Sequence, residues 1–127
     1  MSEKIAINTG EAPAAIGPYS QAVRSGGLIF LSGQIPLDPE TMALISDKIE
    51  DQTHQVFKNL QAVAKASESD LNNAVKLTIY LTDLAQFATV NEIMESYLEQ
   101  PYPARATVEV SALPKGAQVE IDAILAG

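Results

Sequence analysis

The side chains best equipped for chemistry in this chain lie near its C-terminal end. Arg105 follows Pro103-Ala104 and opens an extended segment that carries Thr107 and Glu109 on the same side. A guanidinium offers a planar fork of donors that matches a carboxylate bidentately, so Arg105 is a candidate clamp for an acid. Taken alone, a surface ion pair explains it as simply. Glu120 is the second candidate. It interrupts Val119 and Ile121 in the last alternating segment, where its plain reading is the solvent-facing position of a strand. If the last two strands pair, Arg105, Thr107 and Glu120 share a face only in registers of one parity, for instance with Thr107 opposite Glu120. The connecting loop does not fix that register.

Weaker candidates lie upstream. Gly17-Pro18-Tyr19 is first a turn with a packed tyrosine, and Ser32-Gly33-Gln34 is first a strand with a small residue at a close contact. Asn91 reads as a polar residue of a helix's first turn. His54, the only histidine, falls off the apolar stripe of its helix and reads as a solvated surface side chain. Glu50 and Asp51 suit the dipole at that helix's start better than they suit a metal. A glycine-rich phosphate loop, a His-x-x-x-His pair and a Gly-x-Ser-x-Gly elbow are all missing. The chain has no cysteine, which removes disulfides, thiolate metal sites and a thiol nucleophile together. A formal net charge of -8 opposes binding to phosphate backbones or anionic lipid heads. The first residues show no long apolar run and no Arg-rich amphipathic pattern, so no signal peptide, transit peptide or membrane span is expected.

These side chains need a scaffold, and the hydrophobic pattern supplies one. Residues 1–127 read as one domain, long enough for a real core. Lys4 to Asn8 alternates as a short strand. Gly10 to Pro18 is loop-like in its Gly, Pro and Ala content. Ser20 to Ser25 and Leu28 to Gln34 flank Gly26-Gly27, which predicts a tight hairpin. Asp38 to Thr41 is a turn. Ile49 to Ala66 carries Ile49, Thr53, Val56, Phe57, Leu60, Val63 and Ala64 on one side at helical spacing, and Ser67 to Asp70 ends it. Ala74 to Leu81 alternates with Val75, Leu77, Ile79 and Leu81 on one face and Lys76, Thr78 and Tyr80 on the other.

A second helix has two overlapping capping-box signals, Asp83-x-x-Gln86 and Thr89-x-x-Glu92, followed by Val90, Ile93, Met94 and Tyr97. Pro101 and Pro103 end it. Ala106 to Val110 and Gln118 to Leu125 complete the set. The expectation is an α+β fold with both helices packed on one face of a sheet. Its other face then needs cover from further subunits.

Taken together the segments resemble the RidA/YjgF family along nearly the full chain. The matching blocks are Ala15-Ile16-Gly17-Pro18-Tyr19, Ser32-Gly33-Gln34-Ile35-Pro36, Tyr80-Leu81-Thr82-Asp83-Leu84 and Phe87-Ala88-Thr89-Val90-Asn91. Pro103-Ala104-Arg105, Leu113-Pro114-Lys115-Gly116-Ala117 and Val119-Glu120-Ile121 follow in the family's order. The resemblance implies a chorismate-mutase-like fold, a homotrimer with intersubunit sites, and 2-iminobutanoate/2-iminopropanoate deaminase activity in the cytoplasm. It maps the family's site residues onto Tyr19, Ser32, Gly33, Asn91, Arg105 and Glu120.

In that reading Arg105 clamps the substrate carboxylate and Glu120 orients or activates water. Ser32, the Gly33 backbone and Thr107 hydrogen-bond the water or the imine nitrogen. No metal or organic cofactor, nucleic acid or membrane is called for. Two departures stand out. Thr107 occupies a position where many members have cysteine, and Ser67 stands where a helix-ending glycine is common. The rival reading from another class is a trimer that only binds or senses a small carboxylate or 2-keto acid. A ribonuclease reading, also attached to the family, is opposed by the acidic charge and the single histidine.

Overall fold

The computed structural model describes residues 3–127. Six strands form one sheet: β1 (Ile5–Ile7), β2 (Ala22–Ser25), β3 (Leu28–Gln34), β4 (Ala74–Leu81), β5 (Ala104–Glu109) and β6 (Val119–Ala126). Two helices, α1 (Ile49–Ala66) and α2 (Phe87–Glu95), separate β3 from β4 and β4 from β5. The spatial order is β1-β2-β3-β6-β4-β5. All neighbours run antiparallel except β4 and β5, which are parallel and joined by α2 as the crossover.

The pattern in the sequence accounts for most of this. Gly26 takes φ +60 in the two-residue turn between β2 and β3, whose register sets Ser25 opposite Leu28. Leu77, Ile79 and Leu81 of β4, Val119, Ile121, Ala123 and Leu125 of β6, and Ile29 and Leu31 of β3 are buried on one face. Against them α1 sets Val56, Phe57, Leu60 and Val63, each fully buried, and α2 adds Val90. Burying side chains of this size contributes about 1.5–3 kcal/mol each. The helices therefore lie on one side of a single sheet. The opposite face keeps Phe30 and Val108 each 43% exposed.

Four details depart from the sequence reading. Val75 does not join the buried face of β4: the ladder with β6 slips between Ala74 and Lys76, leaving Val75 as the bulged, exposed residue. Only the first capping box works as a cap. Asp83 accepts a hydrogen bond from the Ala85 N–H at 2.9 Å and starts a 3₁₀ turn over Leu84–Gln86 that feeds α2, whereas Thr89 already lies inside the helix. His54 is exposed but partnered: its Nδ1 lies 2.7 Å from the Tyr97 hydroxyl. Finally, β5 and β6 do not pair, because β4 runs between them.

Candidate functional site

Register on β4 decides which candidate side chains share a face. Arg105 pairs with Leu77 and Thr107 with Ile79, so both project on the helix side. Glu120 pairs with Tyr80, so it projects on the uncovered side. The shared face considered for Arg105, Thr107 and Glu120 is thus corrected: Arg105 and Thr107 lie on one side of the sheet and Glu120 on the other. The reason is the intervening strand. Leu77 and Tyr80 are three residues apart on β4, and an odd spacing reverses the face.

Arg105, Thr107 and Asn91 form one group. The Arg105 guanidinium donates to Asn91 Oδ1, and its Cζ lies 5.1 Å from the centre of the Phe87 ring. Asn91 is four residues after Phe87 on α2, so one helix face holds both partners. Neither contact neutralises the charge, and the remaining N–H groups of the fork are left for an anion. A cavity of about 450 Å³ adjoins this group, lined by Asn91, Met94, Leu98, Tyr102, Pro103 and Arg105 among others. Thr107 lies two residues along the edge strand with a buried Oγ1 that has no hydrogen-bond partner among the described residues. A buried hydroxyl left unpaired costs about 1–3 kcal/mol.

Tyr19, Ser32, Gly33 and Glu120 form the second group. Between Leu31 and Gln34 the β3–β6 ladder slips, so Ser32 and Gly33 sit in a bulge. A Cβ on Gly33 would stand 2.9 Å from Cδ and 3.1 Å from Cγ of Glu120, so any larger residue there would displace the Glu120 side chain. Glu120 thus lies across the Gly33 backbone, half-buried, and burial together with the nearby Asp122 charge raises its pKa from its ordinary value. The Ser32 hydroxyl donates to the Ser20 carbonyl at 2.5 Å, so toward a ligand it can only accept. Tyr19 is 53% exposed and lines a groove of about 360 Å³ together with Gly33, Ile35, Pro114 and Lys115.

The sequence reading passed over the groups that hold this half in place. Buried Gln21 donates through Nε2 to the carbonyls of Pro13 at 2.8 Å and Thr9 at 3.0 Å, and accepts from the Thr9 N–H at 2.7 Å. It fixes the 9–13 segment that leads to Tyr19. Asn59 of α1 donates to the Leu37 carbonyl at 3.1 Å, tying the stretch beyond Gln34 to the helix. Both are polar residues within apolar surroundings, a pattern that periodicity alone leaves unread.

Comparison with known proteins places the chain in one family whose members carry different activity names. A family model described as endoribonuclease L-PSP matches residues 9–126. A RutC family protein of Sinorhizobium fredii is 51% identical over 119 residues, covering 94% of either chain. The 2-iminobutanoate/2-iminopropanoate deaminase of Mus musculus is 48% identical over 118 residues, 93% of this chain and 87% of the mouse protein. The crystal structure of RidA from an Antarctic Psychrobacter superimposes with a TM-score of 0.93 at 49% identity, over 97% of this chain and 99% of that one. Among the described residues no helix is long and apolar enough to cross a membrane. With the family model spanning nearly the whole chain and relatives near half identity, the chain belongs to the RidA/YjgF/RutC family.

Proposed function

We propose that this chain hydrolyses reactive 2-imino acids, such as 2-iminobutanoate and 2-iminopropanoate, to 2-keto acids and ammonia, as a homotrimer with sites between subunits. The observation that carries the proposal is the division of the candidate residues. An unneutralised arginine fork lies on one sheet face and a desolvated carboxylate on the other, so a site that uses both needs two copies of the chain. The mouse relative named a 2-iminobutanoate/2-iminopropanoate deaminase supports the substrate class. The exposed Phe30 and Val108 face suits burial between copies.

The chemistry follows from the substrate. Arg105 of one copy clamps the carboxylate and fixes the imine carbon beside it. Glu120 of the next copy takes a proton from water as the oxygen bonds to that carbon. Starting from the protonated imine, this gives a neutral carbinolamine; Glu120 returns its proton to the nitrogen, the C–N bond breaks, and ammonia leaves as the hydroxyl gives its proton back to Glu120 and the C=O forms. Ser32 can accept from the water or from a protonated nitrogen, and the free Thr107 hydroxyl can do the same or donate. Tyr19, the Gly33 backbone and Asn91 complete the binding surface. Water is the only co-reactant, and no cofactor enters the scheme. The cytoplasm is the proposed location, since a chain without cysteine asks nothing of an oxidising compartment.

The test is keto-acid release from imines generated in situ by an amino-acid oxidase, followed against the spontaneous rate. Acceleration proportional to protein concentration is expected. A protein that binds 2-ketobutyrate but leaves the spontaneous rate unchanged would refute the deaminase reading in favour of carboxylate binding alone.

A further inference from the structure

Glu120 does not stand alone on its face of the sheet. Asp122 follows two residues later on β6, which returns it to the same side at a Cα spacing of about 6.5 Å. Tyr80 is the register partner of Glu120 on β4, and its hydroxyl reaches diagonally to donate to Asp122 Oδ2 at 3.0 Å. That bond keeps the Asp122 carboxylate pinned to the sheet where it would otherwise swing into solvent. On the third side, Gly33 of the β3 bulge presses against the Glu120 carboxylate. Glu120 and Asp122 therefore share one face of β6, with the Gly33 backbone beside the Glu120 carboxylate.

We propose that Asp122, held by the Tyr80 hydroxyl, is a positioning residue for Glu120: its fixed negative charge on the same face makes Glu120 a stronger base toward water. The inference rests on the reading of Glu120 as the base and names what sets its strength. Two carboxylates this close disfavour each other's ionisation, and proton transfer is most efficient when the base's affinity for protons approaches the working pH. The direction agrees with the burial and the Asp122 repulsion that already raise Glu120, and with the raised Tyr80 hydroxyl, whose largest cause is the bond to Asp122. Among the other charged groups, Lys76 of β4 lies on the same face, two residues from Thr78, the register partner of Asp122, and its charge opposes that of Asp122. On β3 the neighbours of Glu120, Ser32 and Gly33, do not ionise. Tyr19 and Lys115 line the groove that reaches Gly33, and the Lys115 ammonium donates to the Met42 carbonyl at 3.2 Å. In the proposed trimer a second copy's Arg105 draws Glu120 the opposite way, and Asp122 adds to burial in opposing it.

The experiment is the acid limb of the kcat/KM–pH profile, read beside a ¹³C NMR titration of the Glu120 side-chain carboxyl in the same proteins. Asp122→Asn should move both midpoints down by about half a pH unit. Asp122→Glu, which keeps the charge, should restore them. Tyr80→Phe, which frees Asp122 to swing outward, should give part of the same downward shift in a protein that retains every carboxylate. Unmoved NMR midpoints in both Asp122→Asn and Tyr80→Phe would overturn the proposal. If Asp122→Asn does not assemble, Tyr80→Phe decides, because a Glu120 coupled to Asp122 shifts when the hydroxyl that holds Asp122 is lost and stays unmoved otherwise. A wild type that shows this coupling yet never accelerates imine hydrolysis would defeat the deaminase reading and leave the Asp122–Glu120 coupling standing.

Discussion

At the scale of residues, the proposed function gives Arg105 and Glu120 different tasks, so they should fail differently. Arg105→Lys keeps a charge but loses the planar fork, and the ammonium cannot reproduce the stacked geometry over Phe87. Substrate binding and turnover should weaken together. A charge-assisted hydrogen bond contributes about 1.5–3 kcal/mol, so the expected loss in kcat/KM is at least about tenfold, measured on in situ imines and on 2-ketobutyrate binding. Glu120→Gln should leave binding intact and lower kcat.

The same Glu120 substitution should change stability with a definite sign. A carboxyl whose pKa is raised by folding is held against its preference to ionise. That cost is absent below the unfolded-state carboxylate pKa, grows as pH rises through the raised native value, and is full at neutral pH. Glu120→Gln should therefore raise Tm at pH 7 and lose that advantage near pH 4, as followed by calorimetry across pH. A variant less stable than wild type at pH 7 would show Glu120 ionised in a favourable setting. At this scale the candidates Tyr19, Ser32, Gly33, Asn91, Arg105, Thr107 and Glu120 were legible as residue types in a recognisable order. Legibility stopped at the supporting contacts: Phe87 under the guanidinium, Gln21 under the loop and Tyr80 on Asp122 join positions that no local pattern links.

At the scale of elements, α1 shows what periodicity reads well and what it reads poorly. Its span from Ile49 to Ala66 and its buried stripe follow from apolar residues at helical spacing. How it ends does not. Ser67 stands where a glycine is common, but Ser67 keeps ordinary angles, with φ -84 and ψ 3. The left-handed residue is Glu68, at φ +61. The Glu68 N–H reaches the Lys65 carbonyl and the Ser69 N–H reaches the Ala64 carbonyl, both at 3.0 Å, which closes the helix as a Schellman motif.

A side chain with a Cβ pays for that conformation, so Glu68→Gly should stabilise the fold by about 0.5–1 kcal/mol, measured by urea denaturation, without altering activity. A destabilised variant would mean that Glu68 makes a compensating interaction outside this motif. The bulges tell a similar story. Val75 reads as a core residue from alternation alone, and only the ladder reveals that one extra residue turns it outward. The bulge at Ser32 and Gly33 likewise leaves no mark in the hydrophobic pattern, yet it brings Gly33 against Glu120.

At the scale of the whole molecule, the central matter is that one chain holds the two halves of the proposed site on opposite faces of its sheet. Pattern reading gave the strands and both helices, and it foresaw that one sheet face would lack cover. It left open the strand order, because loops between β-strands do not fix which strands pair. The insertion of β4 between β5 and β6 separates Arg105 from Glu120 and makes a second copy necessary to the proposed chemistry.

The most direct test mixes two inactive proteins. Arg105→Ala and Glu120→Gln chains are unfolded and refolded together in equal amounts, and imine hydrolysis is measured on the mixture and on each parent. In a cyclic trimer a site regains activity when an intact Arg105 from one copy meets an intact Glu120 from the next, which random assembly grants to about one quarter of the sites. Activity of the mixture near one quarter of wild type, with neither parent active, is the predicted result. A mixture no more active than its parents would contradict a site built from two copies.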